Sequence, residues 1–150
     1  MRGSWAGAMG QSQFMPSSFL NYAADFTRDG TKDIWRAKAD VWASIANYLK
    51  IEGWQYGRPK AVRVNLPKHF EYNEDIEKTY RPLSAFRRNG VTLTENISGD
   101  PKVKLIMPDR SSEKQAFVVF ENFYVILHWN RSYFFALSAA KLADKIKAAL

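Results

Sequence analysis

The 150-residue sequence contains no cysteine and only two histidines. The absence of cysteine excludes disulfide bonds and thiolate metal ligands, and it carries little information about the cellular compartment. Because His69 and His128 are far apart in the sequence, a zinc site is not expected. No apolar run is long enough to span a membrane, and no apolar segment of a signal peptide follows Met1.

Acidic residues are outnumbered by basic ones, 15 against 22, which gives a formal net charge of +7. A chain of this length with 46% hydrophobic residues buries the core of about one domain. A basic surface suits an anionic polymer such as nucleic acid, anionic lipid or peptidoglycan. Lysine and arginine are spread along the chain rather than grouped in blocks, so an ordinary solvated surface explains the charge equally well.

The most distinctive stretch is GSWAGAMGQSQFMPSS, residues 3–18. Its three glycines allow backbone to approach backbone, or a ligand, without an intervening Cβ. Gln13 places a polar amide next to the apolar Phe14, and Pro16 suits the first turn of a helix predicted over residues 17–24. From composition alone, a close crossing of helices through small Gly and Ala residues in a core is the more ordinary interpretation. A ligand-binding loop is the alternative.

Residues 25–33 match the first half of an EF-hand calcium loop. Oxygen-bearing side chains stand at alternate positions around a glycine: Asp25, Thr27, Asp29 and Thr31, with Gly30 at the turn. Such alternation directs successive oxygens toward one point, and glycine permits the sharp bend. A polar Asp/Gly turn without a metal is the alternative interpretation.

The second half of this loop departs from the calcium pattern. Arg36 occupies the position of the bidentate glutamate, and Asp40 is the candidate replacement if the loop is longer. Asp40 is also predicted to be the N-cap of a helix from Val41 to Lys50, so it caps, coordinates, or does both. The positive charges of Arg28 and Lys32 are expected to weaken cation binding.

A change in composition at residues 57–59 separates these helices from a region with strand-like alternation. Strands are predicted around residues 62–66, 102–107 and 116–120, a helix after Asn73 and another from Pro82 to Arg88. We expect residues 58–121 to form a small α+β subdomain.

The chain is predicted to end in a helix. Ser132, the last residue of the segment 121–132, is the expected N-cap of this helix. The apolar stripe of this helix is predicted to face a core and consists of Phe135, Ala139, Leu142 and Ile146. The lysines of the same helix are predicted to lie outside: Lys141, Lys145 and Lys147.

Four stretches together resemble the lytic murein transglycosylase B family: residues 7–18, 42–54, 105–108 and 121–132. The resemblance implies an α+β fold class with a lysozyme-like helical core. Residues 1–57 would be a portion of that core with the calcium-loop-like segment. Residues 58–121 would be the inserted subdomain, and residues 122–150 would return to the core and end in the C-terminal helix.

Members of this family are periplasmic, lysozyme-like enzymes that cleave the bond between N-acetylmuramic acid and N-acetylglucosamine in peptidoglycan. One glutamic acid protonates the glycosidic oxygen, and the muramic 6-hydroxyl closes to a 1,6-anhydro product. In the family that glutamate lies upstream of the Gly-Ala-Met-Gly motif, so the chain is expected to be truncated and to lack it. The alternatives are a non-catalytic peptidoglycan-binding module and half of a split enzyme, and a nucleic-acid-binding domain is the weakest interpretation.

The resemblance also implies site residues. Ser4, Gln13 and Phe14 match positions that line the sugar sites, and Asn130 matches a position close to the catalytic acid. It favours calcium as a cofactor, with the ligands Asp25, Thr27, Asp29, Thr31 and Asp40. No glutamate is assigned as the acid, because all seven stand in polar, solvated sequence contexts: Glu52, Glu71, Glu74, Glu77, Glu95, Glu113 and Glu121.

The resemblance and the composition lead to four further expectations. The family usually has tyrosines after Asn130, whereas here Phe134 and Phe135 follow Tyr133, which removes a possible hydrogen bond to sugar. The tryptophans Trp5, Trp54 and Trp129 either stack on sugar rings or belong to the core. Apolar faces that upstream helices would cover predict self-association or a partner. The implied localisation is the periplasm or cell envelope.

Overall fold

The structure, a computed structural model, describes residues 4–109 and 115–150. The chain forms two compact units, one ending at Trp54 and the other comprising Gln55–Leu150. Helices and strands are mixed, in line with the α+β class. Residues 58–121 and 122–150, which the sequence predicts as separate parts, both lie within the second unit.

The first unit is built on helices α1 (Pro16–Tyr22) and α2 (Lys38–Ile51). Pro16 starts α1, as its fixed φ and missing N–H predict. The predicted start of α2 was wrong: the helix begins at Lys38 with Ala37 as N-cap, so Asp40 lies inside the first turn. The reason is that the carboxylate of Asp40 accepts hydrogen bonds from other parts of the chain, and it is not available to cap its own helix.

Aromatic rings and side chain-to-backbone hydrogen bonds hold α1 against α2. The rings of Tyr22 and Tyr48 lie 4.5 Å apart between centroids, and the ring of Phe14 lies 6.1 Å from that of Tyr48. The buried hydroxyl of Ser44 on α2 accepts from the backbone N–H of Ala24 at 2.9 Å. These contacts fix the residues that follow and precede α1.

The second unit contains an antiparallel five-stranded sheet in the order β2-β4-β5-β1-β3. Its strands are β1 (Ala61–Asn65), β2 (Arg81–Pro82), β3 (Thr92–Leu93), β4 (Lys102–Ile106) and β5 (Ala116–Val119). Val118 in the centre pairs with Val62 on one side and with Leu105 on the other. The two short outer strands leave little free edge for pairing with another chain.

Two short helices, α3 (Glu74–Lys78) and α4 (Leu83–Arg88), complete the packing around this sheet. The predicted cap of α3 is confirmed, since the side chain of Asn73 accepts from the N–H of Ile76 at 3.0 Å. The buried core of the unit is formed by alternate strand residues and the inner faces of both helices: Val62, Val64, Ile76, Leu83, Phe86, Val91, Val103, Leu105, Met107, Ala116, Val118 and Phe120.

The chain ends in helices α5 (Glu121–Trp129) and α6 (Tyr133–Ala149). Ser132 is the N-cap of α6, as predicted, and its Oγ accepts from the N–H of Phe135 at 3.3 Å. The predicted apolar stripe of α6 was wrong as a core face: Phe135, Leu142 and Ile146 are 40%, 60% and 53% exposed. The helix buries small side chains instead, because its inner face is formed by Ala136 and Ala140.

Asn122 joins α5 to the beginning of the second unit. Its side chain is fully buried and makes three hydrogen bonds to backbone. The amide nitrogen donates to the carbonyls of Gln55 and Arg58 at 2.8 and 3.1 Å, and the amide oxygen accepts from the N–H of Gln55 at 2.8 Å. One buried side chain therefore holds backbone groups of Gln55 and Arg58 through three hydrogen bonds.

Candidate functional site

The glycine-rich motif folds into a small hairpin. Met9 and Phe14 face each other, with the N–H of Met9 donating to the carbonyl of Phe14 at 2.7 Å and the reverse bond at 3.0 Å. The four residues between them, residues 10–13, form the hairpin loop. Just before it, the segment from Ser4 to Ala8 closes on itself through the bond from Ser4 N–H to the Ala8 carbonyl at 2.8 Å.

Gly10 allows the hairpin loop to lie directly against the backbone of Ile34. Its φ is +64°, and a Cβ added there would lie 2.6 Å from the Ile34 carbonyl oxygen and 2.7 Å from Ile34 Cγ1. Any other residue would collide with backbone at this point. The close approach that the glycines were expected to permit is therefore a contact within the protein.

Gln13 ends the hairpin loop in the left-handed region, with φ +52°. A residue with a Cβ adopts this conformation at a cost of about 1 kcal/mol, and such strain is concentrated at functional sites. The residue is exposed, and its Nε2 donates to the carbonyl of Gly10 at 2.8 Å. The loop thus holds a side-chain amide at the surface in a defined, strained conformation.

The other predicted sugar-site residues of the first unit lie around this hairpin. Ser4 is exposed, and its Oγ accepts from the N–H of Ala8 at 3.0 Å. Phe14 is only 2% exposed and packs on Tyr48, so its ring supports the hairpin from within. Trp5, next to Ser4, is fully exposed and belongs to no core.

Gln11, for which the sequence predicted no role, anchors the hairpin loop. Its backbone N–H donates to the carbonyl of Ile34, and its Nε2 donates to the carbonyl of Trp35, both at 2.8 Å. The partners are more than twenty residues away along the chain. No periodicity or motif in the sequence signals this contact.

Asn130, the predicted site residue of the second unit, is the C-cap of α5. It is exposed, and its Oδ1 accepts from the N–H of Ser132 at 3.1 Å. Trp129 before it is half-buried, and the ring of Tyr133 after it packs 5.7 Å from the ring of Phe123. The turn between α5 and α6 therefore exposes the side-chain amide of Asn130, which is held by its hydrogen bond to Ser132.

The predicted calcium loop is held by its own backbone. Asp25 accepts from the N–H groups of Arg28 and Gly30 at 2.6 and 2.9 Å. Asp29 accepts from the N–H and the hydroxyl of Thr31 at 2.9 and 2.6 Å, and hydrogen bonds from Thr31 hold the pKa of Asp29 below its ordinary value. Arg28 has a φ of +60°, a conformation that favours glycine.

Asp40 connects this loop to α2. Its carboxylate is fully buried and accepts from the N–H groups of Phe26 at 2.8 Å, Thr27 at 3.2 Å and Asp33 at 3.0 Å. Burial alone would raise the pKa of Asp40, but the hydrogen bonds from these three backbone groups outweigh burial and lower it. The charged carboxylate is thus the point at which both ends of the loop meet.

The donor chemistry of this loop fits calcium, which prefers oxygen ligands. The arrangement in the structure does not assemble them: within residues 4–109 and 115–150, no three His, Cys, Asp or Glu side chains lie close enough to share a metal ion. The carboxylates of Asp25 and Asp40 are turned toward backbone N–H groups instead. Calcium binding would require their remaining lone pairs to converge.

Several glutamates in the described residues accept hydrogen bonds from neighbouring side chains. The expectation that Glu52 is solvated was wrong: it is half-buried, and the hydroxyl of Tyr22 donates to it. Glu77 accepts from the hydroxyl of Tyr72 at 2.9 Å, and Glu121 is exposed and accepts from Gln55. Glu113 lies outside the described residues.

The comparisons with known proteins identify the family of this chain. The family model described as Transglycosylase SLT domain matches residues 1–144. Membrane-bound lytic murein transglycosylase B of Escherichia coli (strain K12) is 34% identical over 154 residues, which is 99% of this chain and 40% of that protein. The chain therefore spans well under half the length of this relative.

Solved structures give the same result. SltB3 from Pseudomonas aeruginosa in complex with NAG-anhNAM-pentapeptide matches with a TM-score of 0.88 and 41% identity, over 98% of this chain and 40% of that one. The Escherichia coli lytic transglycosylase SLT35 in complex with calcium matches with a TM-score of 0.81 and 32% identity, over 99% and 47%. This chain therefore belongs to the transglycosylase SLT domain family, as a relative of the lytic murein transglycosylases B.

Proposed function

We propose that this chain contributes the glycan-binding surface of a lytic murein transglycosylase, which cleaves the MurNAc–GlcNAc bond of peptidoglycan with a 1,6-anhydro product. The catalytic acid is then supplied by polypeptide other than these 150 residues. The family match supports the reaction class, and the relatives solved with peptidoglycan fragments support the substrate. The alternative is a module of the same fold that binds glycan without cutting it.

The observation that carries the proposal is the conformation of Gln13. An exposed glutamine in the left-handed region costs stability and forms no part of the core. An amide is well suited to sugar hydroxyl and N-acetyl groups, because it both donates and accepts. Exposed Trp5 in the same motif adds a flat apolar surface of the kind that stacks on a sugar ring.

Asn130 would act at the scissile bond in this scheme. The acid protonates the glycosidic oxygen, the bond from that oxygen to the muramic C1 breaks, and the muramic 6-hydroxyl oxygen bonds to C1 while its proton returns to the acid. The exposed amide of Asn130 is then available to orient the 6-hydroxyl or to polarise the N-acetyl carbonyl. No second carboxylate is needed, in contrast to hydrolysing glycosidases.

Asn130→Ala should reduce glycan binding or turnover by about tenfold without unfolding the chain, because the residue is exposed and loses only one local hydrogen bond. Purified peptidoglycan is incubated with the protein, the soluble fraction is analysed by mass spectrometry for 1,6-anhydromuropeptides, and pelleting with the sacculus is measured. Asn89→Ala is the matched control, since Asn89 is an exposed C-cap on α4.

The outcomes test where the acid lies. Pelleting with the sacculus without soluble products is expected for the chain alone, under both the proposal and the binding-module alternative, and added polypeptide that carries the acid would restore products only under the proposal. Anhydromuropeptides that the chain releases alone, and that fall about tenfold in Asn130→Ala, would mean that one of its own glutamates acts as the acid and would contradict an acid supplied from elsewhere. A chain that neither pellets nor releases products contradicts both.

Calcium binding at the loop is proposed with the ligands Asp25, Thr27, Asp29, Thr31 and Asp40. It is supported by the alternating oxygen donors and by a relative solved with calcium. Calcium would tighten the loop and would take no part in the chemistry proposed above.

Arg28→Gly should raise the affinity for calcium by roughly three- to tenfold. The change removes one positive charge from the loop, worth about 1 kcal/mol in a solvent-exposed setting, and it relieves the left-handed conformation at φ +60°. Titration calorimetry with CaCl₂ measures the affinity. Arg36→Gln tests charge removal without a change in strain, and heat of binding in neither protein would contradict the calcium proposal.

Self-association through exposed apolar faces is also proposed. Phe134, Leu142 and Ile146 of α6 are largely exposed, as are Leu20 and Trp42 in the first unit. Sedimentation velocity across a concentration series should therefore show dimers or larger species, and Leu142→Glu should reduce them. A monomer at all concentrations that binds no hydrophobic dye would contradict this.

The proposed location is the periplasm or cell envelope, where peptidoglycan is found. None of the helices in the described residues combines the length and apolarity needed to cross a bilayer.

A further inference from the structure

The turn at residues 33–36 is held by hydrogen bonds that do not involve the hairpin loop. Asp33 Oδ1 accepts from the N–H groups of Trp35 and Arg36 at 2.9 and 3.0 Å, and the N–H of Asp33 donates to Asp40 Oδ2 at 3.0 Å. The turn is therefore tied to the buried carboxylate on α2. Its two successive carbonyls, those of Ile34 and Trp35, are the acceptors for Gln11.

Gln11 clamps these two carbonyls with one residue. The backbone N–H and the side-chain Nε2 are used together, each at 2.8 Å. The clamp joins the middle of the hairpin loop to a turn that cannot shift without disturbing Asp40. The hairpin is in this way connected through the turn to Asp40 on α2.

The strained conformation of Gln13 needs such a connection. A residue stays in the left-handed region only where its surroundings over-determine it. Three features surround Gln13: the paired backbone of Met9 and Phe14, the contact of Gly10 with Ile34, and the clamp of Gln11. Gln13 also donates through its own Nε2 to the carbonyl of Gly10. The side-chain bond of the clamp is different, because substitution of Gln11 can remove it without altering Gln13 itself or the backbone of the hairpin.

We propose that Gln11 is a positioning residue: by clamping the hairpin loop to the carbonyls of Ile34 and Trp35, it holds Gln13 in the conformation that presents its amide to the glycan. This inference rests on the proposed function for the ligand, and on geometry alone for the conformation. Gln11 itself need not touch sugar.

Ser12 provides a matched control in the same loop. It is 3% exposed, and its hydroxyl has no hydrogen-bond partner among the described residues. Ser12→Ala therefore changes a buried neighbour of Gln11 and Gln13 without removing a hydrogen bond. It should leave the conformation of Gln13 and the affinity for glycan unchanged.

The experiment compares Gln11→Met, which keeps the length and loses the donor, with Gln11→Lys, which restores a donor. The conformation of Gln13 is read from its Cα chemical shift and its HN–Hα coupling, and affinity is measured with the disaccharide GlcNAc–MurNAc-pentapeptide. Gln11→Met should move the Cα shift and the coupling of Gln13 toward the values of a residue with negative φ. It should weaken glycan binding about tenfold, as expected if the loop with Gln13 in the left-handed region is populated about one-tenth of the time. Gln11→Lys should recover both, with all melting temperatures close to that of the unaltered protein.

Each result has one meaning. Unchanged Gln13 signals in Gln11→Met would overturn the inference, as would altered signals with unaltered affinity. A loss of affinity that Gln11→Lys does not rescue, together with a lower melting temperature, would reduce Gln11 to a structural role and also overturn it. If the unaltered protein binds no disaccharide, the proposed function fails and the glycan part of the inference with it. The Gln13 signals still decide whether Gln11 holds the loop.

Discussion

Gly10→Ala should destabilise the first unit by about 2–4 kcal/mol, and Gly7→Ala by only about 1 kcal/mol. Both glycines have positive φ, +64° and +88°, so both substitutions carry the cost of a left-handed conformation. The difference is the space around them. A Cβ at Gly10 would lie 2.6 Å from the carbonyl oxygen of Ile34, whereas a Cβ at Gly7 has nothing within 4 Å.

The same pair of variants tests whether the hairpin matters for function. If Gly10→Ala pushes the loop away from Ile34, it also breaks the clamp of Gln11, and glycan affinity should fall by tenfold or more. Gly7→Ala should bind as the unaltered protein does. Denaturant unfolding measures the stability of both variants, and binding to the disaccharide-pentapeptide measures the function. Equal destabilisation by the two substitutions would show that the loop relaxes around the added methyl group.

Features that depend on neighbouring residues were predictable from the sequence. Asn73 caps α3, Ser132 caps α6, Pro16 starts α1, and the alternation around Val62 produces β1. In each case the signal and its structural effect lie within a few residues, so propensity and periodicity carry the information. The family was also recognisable, because its motifs are short and literal.

Features that depend on distant partners were not predictable. Nothing near Asp40 shows that the N–H groups of Phe26 and Asp33 will occupy its carboxylate, which is why it was expected to cap α2. Glu52 stands in a polar sequence context, yet it accepts a hydrogen bond from the hydroxyl of Tyr22 on α1. The contact between Gly10 and Ile34 likewise joins two loops whose approach no local pattern encodes.

The stripe on α6 shows the limit of periodicity in another way. Phe135, Leu142 and Ile146 have the spacing of a buried face, yet they are exposed, and the alanines at 136 and 140 are buried. Periodicity indicates that one face of a helix is apolar, but it does not indicate whether another part of the protein covers that face. The candidate site residues illustrate the same limit: Gln13 and Asn130 are proposed from the resemblance, while the hydrogen bonds around each of them became visible only in the structure.

Asn122→Asp is the largest change expected in the second unit, with a loss of about 3–5 kcal/mol at neutral pH. The replacement keeps the shape of the side chain and removes its two N–H donors. The carbonyls of Gln55 and Arg58 would then lose their partner and face a buried negative charge. Unfolding by denaturant, followed by circular dichroism, measures the loss.

The pH dependence of this loss separates charge from shape. Burial raises the pKa of the introduced carboxyl above its value in the unfolded chain, so its cost is fully present above the raised pKa and shrinks as the pH falls toward the unfolded value of about 3.9. Asn130→Asp is the control: it makes the same change at an exposed C-cap and should cost no more than about 0.5 kcal/mol. A small effect at both positions would mean that the segment at Gln55 is not held by Asn122. A large effect that does not depend on pH would mean that the lost donors, rather than the charge, cause it.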